Sequence, residues 1–171
     1  GTLPVVSVAD PRQSGKTTLV RSSFPEKRYL SLENPNTRAY ATDDPRGFLA
    51  EHSGGAIFDE IQRAPELLSY LQGMVDENPT PGRFLLTGSQ HFLLMRDVSQ
   101  TLAGRTAVLT LLPLSLEEIA PGHEDLPIDA LLHRGFSPRL YERRSDPYPQ
   151  LRDYFQTYVE RDVRSLLRVH D

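Results

Sequence analysis

The sequence predicts an α/β fold, a three-layer sandwich built on a mainly parallel sheet. Two observations predict it. Short apolar runs rich in branched residues alternate with stretches of helical spacing, and strands alternating with helices imply crossovers and parallel pairing. The first run, Pro4 to Ala9, is rich in valine, as expected for a strand buried on both faces of a parallel sheet. A chain of 171 residues is long enough for one domain with a real core; folding at that size removes roughly 70% of the extended surface from water.

Taken in order, Pro4 to Ala9 reads as a strand leading into Asp10–Thr18, and Lys16 to Ser23 suits a helix. Arg28 to Leu32 is a second strand closed by Asn34 and Pro35. Asp43, Asp44 and Pro45 supply a cap and a first-turn proline for a helix through Glu51, which Gly54 and Gly55 stop. Ala56 to Phe58 is a third strand ending in Asp59 and Glu60. Leu67, Leu68, Leu71 and Val75 then give helical spacing over Ala64 to Asp76. Phe84 to Leu86 is a fourth strand ending in Thr87-Gly88-Ser89-Gln90, and Thr106 to Leu112 a fifth. Many of the 14 prolines fall between Pro121 and Pro149, where regular structure is expected to be interrupted. Beyond them, Leu151, Tyr154, Phe155, Tyr158, Val159, Val163, Leu166 and Leu167 make one apolar stripe on a long amphipathic helix.

Composition narrows the function classes. A formal net charge of −4 with mixed charge order gives no overall drive toward nucleic acid or an anionic membrane. The absence of cysteine excludes disulfides and thiolate metal sites, and the five histidines show no metal-ligand spacing. No apolar run approaches 18 residues and no signal-peptide core is visible, so a cytoplasmic protein without a membrane partner is expected.

The chemistry concentrates where strands end, the edge at which open parallel sheets bind ligands. Asp10-Pro11-Arg12-Gln13-Ser14-Gly15-Lys16-Thr17-Thr18 follows the phosphate-binding pattern GxxxxGK[ST] except at its first position, where Asp10 replaces glycine. In such a loop backbone N–H groups around Gly15 wrap a phosphate, the Lys16 ammonium reaches the terminal phosphates and the Thr17 hydroxyl ligates magnesium. The second feature is Asp59-Glu60 at the end of a strand. Magnesium-dependent phosphoryl transfer needs one carboxylate at the hydrated metal and a neighbour to orient or deprotonate water. Two solvated acids at a helix start are the plainer reading of the same pair.

These strings together resemble a known family. Pro11–Thr18, Ile57-Phe58-Asp59-Glu60-Ile61-Gln62-Arg63-Ala64-Pro65, Leu86–Gln90, Leu102-Ala103-Gly104-Arg105 and Tyr158-Val159-Glu160-Arg161-Asp162-Val163 are similar to segments of prokaryotic AAA-superfamily P-loop ATPases. In that family the ATPase core precedes a C-terminal domain of unknown function with a suggested nuclease-like fold. The resemblance implies ATP and Mg2+ as ligands, with Lys16 on phosphate, Thr17 and Asp59 at the metal and Glu60 activating water. It extends the nucleotide-binding set to Arg12, Gln13, Ser14, Gly15, Thr18, Ser89 and Gln90, with Ser89 or Gln90 where a sensor of the terminal phosphate would sit. Residues 1–120 are then the core, 121–149 a proline-rich link, and 150–171 the start of a further domain that is cut short, its helix meeting a partner protein or a second copy, or else packing back on the core. Two departures stand out. Asp10 sets a carboxylate near a phosphate loop, where at about 5 Å and an effective dielectric near 20 it costs a few kcal/mol, so weaker ATP binding is expected. Ser137 is inserted within Arg134–Leu140, where the family shows two glycines, an aromatic residue and a proline.

Arg105 has two readings: a contact to nucleotide from a strand start near the sheet's active edge, or a surface ion pair. Three functions remain open at this stage. An ATP-hydrolysing switch or motor module leads; a degenerate nucleotide-binding scaffold that recruits a partner is the alternative; a small-molecule kinase is disfavoured because Asp59-Glu60 suits water activation and no acceptor pocket or lid motif is evident.

Overall fold

The computed structural model describes residues 2–9, 14–88, 98, 100–119, 121, 126–142 and 146–158. Contacts divide the chain into two compact units, one of residues 1–11 and 16–111, the other of residues 12–15 and 112–171.

The first unit holds a five-stranded sheet, β1 (Val5–Ala9), β2 (Arg28–Ser31), β3 (Ala56–Asp59), β4 (Phe84–Gly88) and β5 (Thr106–Thr110), in the order β2-β3-β4-β1-β5. Every neighbouring pair is parallel, and the registers Val5↔Phe84, Val5↔Thr106 and Ala56↔Phe84 align the strand starts. All C-terminal ends therefore share one edge. The alternation of side chains sorts the core into two faces. Val5, Ala9, Phe58, Phe84 and Leu86 pack with Phe48, Leu49, Leu67, Leu71 and Val75. Val8, Ile57 and Leu85 pack with Val20 on the opposite face. The helices supplying these partners are α1 (Lys16–Ser23) on the second face, and α3 (Pro45–Glu51) and α4 (Leu67–Glu77) on the first, which makes the three layers expected.

A helix that the sequence reading omits, α2 (Pro35–Asp43), follows β2. Asn34 closes the strand and also caps this helix: its Oδ1 accepts from the N–H of Asn36 at 2.9 Å and of Thr37 at 3.3 Å, with Pro35 at the first helical position. Only Ala41 of α2 is buried, so no apolar stripe betrays it. The helix expected from Ala64 begins at Leu67, because a short 3-10 turn, Ile61–Arg63, intervenes. The fifth strand stops at Thr110. Gly55 is required where it stands: φ is +107°, and an added Cβ would lie 2.4 Å from the Arg83 carbonyl oxygen.

The second unit holds α5 (Leu116–Ile119), α6 (Ile128–Arg134), α7 (Arg139–Glu142) and α8 (Pro147–Tyr158), so the proline-rich stretch carries short, separate helices. Pro127 immediately precedes α6 and Pro147 opens α8, positions where a missing N–H is harmless. Ser115 and Glu118 form a reciprocal capping box at α5, with Glu118 Oε2 accepting from the Ser115 N–H at 2.8 Å and Ser115 Oγ from the Glu118 N–H at 3.2 Å. The inserted Ser137 lies in the turn into α7, its carbonyl accepting from the Leu140 N–H at 3.0 Å. Along α8, Leu151 and Tyr154 are half-buried while Phe155 is 64% exposed. The stripe residues Val159, Val163, Leu166 and Leu167 lie outside the described residues, and no described helix is long and apolar enough to cross a membrane.

Candidate functional site

Strands β2, β3 and β4 and the start of α1 bring four polar side chains together. Asp59 ends β3 and is 5% exposed. Parallel register places Ser31 opposite Asp59 and Tyr29 opposite Ile57, so the two-residue period puts Tyr29, Asp59 and Thr87 on the face that α1 covers. Tyr29 donates from its hydroxyl to Asp59 Oδ2 at 2.6 Å, and Thr87 Oγ1 donates to Oδ1. Thr17, in the first turn of α1, lies 3.5 Å from Oδ1 and 3.4 Å from Oδ2. Three hydroxyls from three elements thus fix the orientation of one buried carboxylate.

Lys16 and Glu60 are the charged pair beside it. Their Nζ and Oε1 stand 3.8 Å apart, with side chains only 7% and 14% exposed. Glu60 has φ 59° and ψ 48°, and is the one non-glycine residue in the left-handed region among those described. Such a conformation costs of order 1 kcal/mol or more and persists where the surroundings fix it. Here the next residue, Ile61, is fully buried, and the Arg63 N–H donates to the Glu60 carbonyl at 2.9 Å. Gln62, on the same turn, donates from Nε2 to Glu60 Oε2.

Tyr29 is the titratable group whose ionisation is displaced at this cluster. Burial first, then its hydrogen bond to Asp59 and the charge there, push its phenol up to about 12 from 10.0. It therefore remains a donor throughout the neutral range. Arg21 stacks on its ring, 4.9 Å from the centroid.

The structure brings Lys16, Thr17, Asp59 and Glu60 together as the sequence motifs imply. Thr18 follows on α1 with its side chain exposed. Gly15, in the second unit, has φ +87°, the left-handed turn its residue type allows, with Pro138 Cγ 3.5 Å from the place a Cβ would take. Ser14 of the same unit is buried. Asp10, Arg12, Gln13, Ser89 and Gln90 lie outside the described residues.

Arg105 departs from its expected position at the active edge. Its carbonyl accepts from the Val5 N–H and it directly precedes β5, so it occupies the N-terminal edge, about 13 Å of strand away from the loop side. There it binds Asp76 bidentately, Nε to Oδ1 at 2.5 Å and Nη2 to Oδ2 at 2.8 Å. The surface ion pair is the reading the geometry gives.

Tyr29, Thr87 and Gln62 are the residues that sequence reasoning missed. Thr87 and Gln62 lie inside the strings that carry the family resemblance, but only register and turn geometry show what they touch. As for the metal, a hydroxyl and a carboxylate are hard oxygen donors suited to magnesium, which keeps several waters and takes substrate phosphate oxygens. Among the described residues no group of three or more His, Cys, Asp or Glu forms an all-protein cage.

Comparison with known proteins bears on the family and the fold. The model of a protein family described as an AAA domain matches residues 3–120. Two uncharacterized proteins, of Mycobacterium tuberculosis and Mycobacterium bovis, are each 36% identical over 167 residues; the match covers 95% of this chain and 37% of theirs. A Walker-type ATPase of Pyrococcus abyssi shares the fold, with a TM-score of 0.62 and 17% identity over 98% of this chain and 72% of that one.

Proposed function

Because this chain belongs to the AAA domain family, with the α/β fold of a P-loop ATPase, we propose that it binds and hydrolyses ATP, acting as a switch or motor module. One observation carries the reading: Lys16, Thr17, Asp59 and Glu60 converge at the start of α1 and the end of β3, with Thr17 within 3.5 Å of Asp59 and Lys16 3.8 Å from Glu60.

In this reading Lys16 holds the terminal phosphates and Gly15 lets the backbone turn around them. Thr17 and Asp59 would hold a magnesium ion, which when bound offsets the phosphate charge. Tyr29 and Thr87 keep Asp59 oriented. Glu60 takes a proton from the attacking water, and its left-handed backbone turns the side chain out of the line of β3. Ser89 and Gln90 are proposed as sensors of the terminal phosphate, and Arg12, Gln13 and Ser14 as loop contacts.

Calorimetric titration of magnesium-ATP with phosphate release followed on the same sample tests the proposal. Micromolar binding is expected, abolished in Lys16→Ala; Glu60→Gln should retain binding and lose turnover by about 10²-fold or more. No binding at millimolar ATP would refute the hydrolase reading and leave the partner-recruiting scaffold, as the Asp10 substitution would then imply.

A further inference from the structure

Beside the proposed base, one buried polar atom has no partner among the described residues: Oε1 of Gln62. Its Nε2 is engaged with Glu60 Oε2, and that neighbour fixes the amide's orientation, because the reverse would set two acceptors face to face. A buried acceptor left without a donor calls for an explanation, and a small donor arriving from outside the chain is one. The segment bearing it is firmly held. Ile61 is fully buried, the Arg63 N–H donates to the Glu60 carbonyl at 2.9 Å and the Ala64 N–H to the Ile61 carbonyl at 3.0 Å. An amide two residues from the base, with its donor half committed to that base and its acceptor half vacant, matches a molecule that offers two hydrogens.

We infer that Gln62 completes the water-activating group: its Nε2 holds the Glu60 carboxylate, and its Oε1 accepts the hydrogen of the attacking water that Glu60 does not take. The inference rests on the hydrolase reading. As the water oxygen bonds to the γ-phosphorus, the bond from that phosphorus to the β–γ bridging oxygen breaks and its electron pair stays on ADP. One water proton passes to Glu60. The other remains on the new phosphate oxygen, hydrogen-bonded to Gln62. Two acceptors fix the water's rotation, where the carboxylate alone would leave it free about one axis.

The test is Gln62→Met, which keeps the volume and removes both polar ends, with Gln62→Ala as a second variant should the first fail to fold. Expected is a fall in kcat of about 10²-fold with the magnesium-ATP dissociation constant within about twofold of wild type. The complex of magnesium-ADP with aluminium fluoride, which mimics the phosphoryl group in flight, should weaken by a similar factor while magnesium-ADP alone does not. In a Glu60→Gln background the Gln62 change should add less than about twofold, because the two residues act as one unit. Losses that multiply in the double variant, or a fall in nucleotide affinity matching the fall in kcat, would make Gln62 a brace for the turn and overturn the inference. Full kcat in both Gln62 variants would overturn it while leaving the hydrolase reading intact. A wild-type chain that binds ATP and releases no phosphate would end both.

Discussion

Tyr29→Phe removes a single hydroxyl from the Asp59 cluster and leaves the ring, with Arg21 stacked on it, in place. At 2.6 Å the lost bond has the length expected for a hydroxyl donating to a carboxylate. Hydrogen bonds to charged groups contribute about 1.5–3 kcal/mol net. The ring is half-buried, so water can take the vacated position in part, and the lower figure applies. About 1.5 kcal/mol is roughly tenfold in an equilibrium constant, in the range seen when a partner of a metal ligand is removed. Orientation and basicity oppose each other here. Without Tyr29 the carboxylate carries more charge density, but it swings between the Thr17 and Thr87 hydroxyls, and the loss of a fixed direction dominates for a metal that demands near-octahedral geometry. The assay is manganese binding followed by electron paramagnetic resonance in the presence of a non-hydrolysable ATP analogue. Manganese should bind about tenfold more weakly to Tyr29→Phe, Asp59→Asn setting the upper limit, and affinity for metal-free ATP should not move. A variant within about twofold of wild type, beside an Asp59→Asn that loses manganese, would show that Tyr29 only fills space.

Three further outcomes are expected. Arg83 is buried and donates Nε to the Ser53 carbonyl at 2.8 Å and Nη1 to the Asn78 carbonyl at 3.1 Å, tying the end of α4 to the turn after α3; Arg83→Met should lower the unfolding free energy by about 2–4 kcal/mol in urea titration, and an unchanged midpoint would refute that strap. Arg105's hydrogen bonds hold the Asp76 carboxyl below its ordinary 3.8. A depressed carboxyl stabilises the fold above the unfolded value and loses that contribution as pH falls through the folded one. Asp76→Asn should therefore be slightly less stable than wild type at pH 7, the two converging well below pH 3.8; a gap that persists there would exclude the ion pair as its cause. At position 60, Gly and Ala both delete the carboxylate, so comparing them isolates the backbone. Left-handed strain of about 1–2 kcal/mol in Ala outweighs the 0.5–1 kcal/mol entropic cost of Gly, and Glu60→Gly should be more stable than Glu60→Ala by roughly 0.5 kcal/mol in thermal melts, the reverse order refuting the strain.

Strands β3 and β4 were legible because they are buried on both faces. Ile57, Phe58, Leu85 and Leu86 leave no polar position to confuse the period. Helix α2 was illegible for the opposite reason, since a helix with one buried residue carries no stripe, and its signal was the cap at Asn34. The chemical half of the site was legible as well. Lys16 and Thr17 follow a glycine, and Asp59 and Glu60 end an apolar run. The supporting half was not. Tyr29 and Thr87 occupy ordinary strand positions, and their contacts to Asp59 depend on a strand order, β2-β3-β4, that no local pattern encodes. Arg105 was misplaced for a related reason: a residue that begins a strand sits at the edge opposite the one where ligands bind, and the motif around it names the strand without naming the edge.

The ion pair between Lys16 and Glu60 bears on how such a site would begin to work. Both side chains are largely withdrawn from water, and at that depth each needs a compensating charge. The ammonium and the carboxylate face each other at 3.8 Å. A polyphosphate carries several negative charges and competes for Lys16 more strongly than one carboxylate can. As Lys16 turns to phosphate, Glu60 is released from the 3.8 Å pairing, while Gln62 keeps it from swinging away. In the proposed reading, substrate binding itself thus readies the base. Charge reversal at Lys16 would then impair binding and base activation together, whereas removing Glu60 should spare binding, which is why those two positions separate the steps.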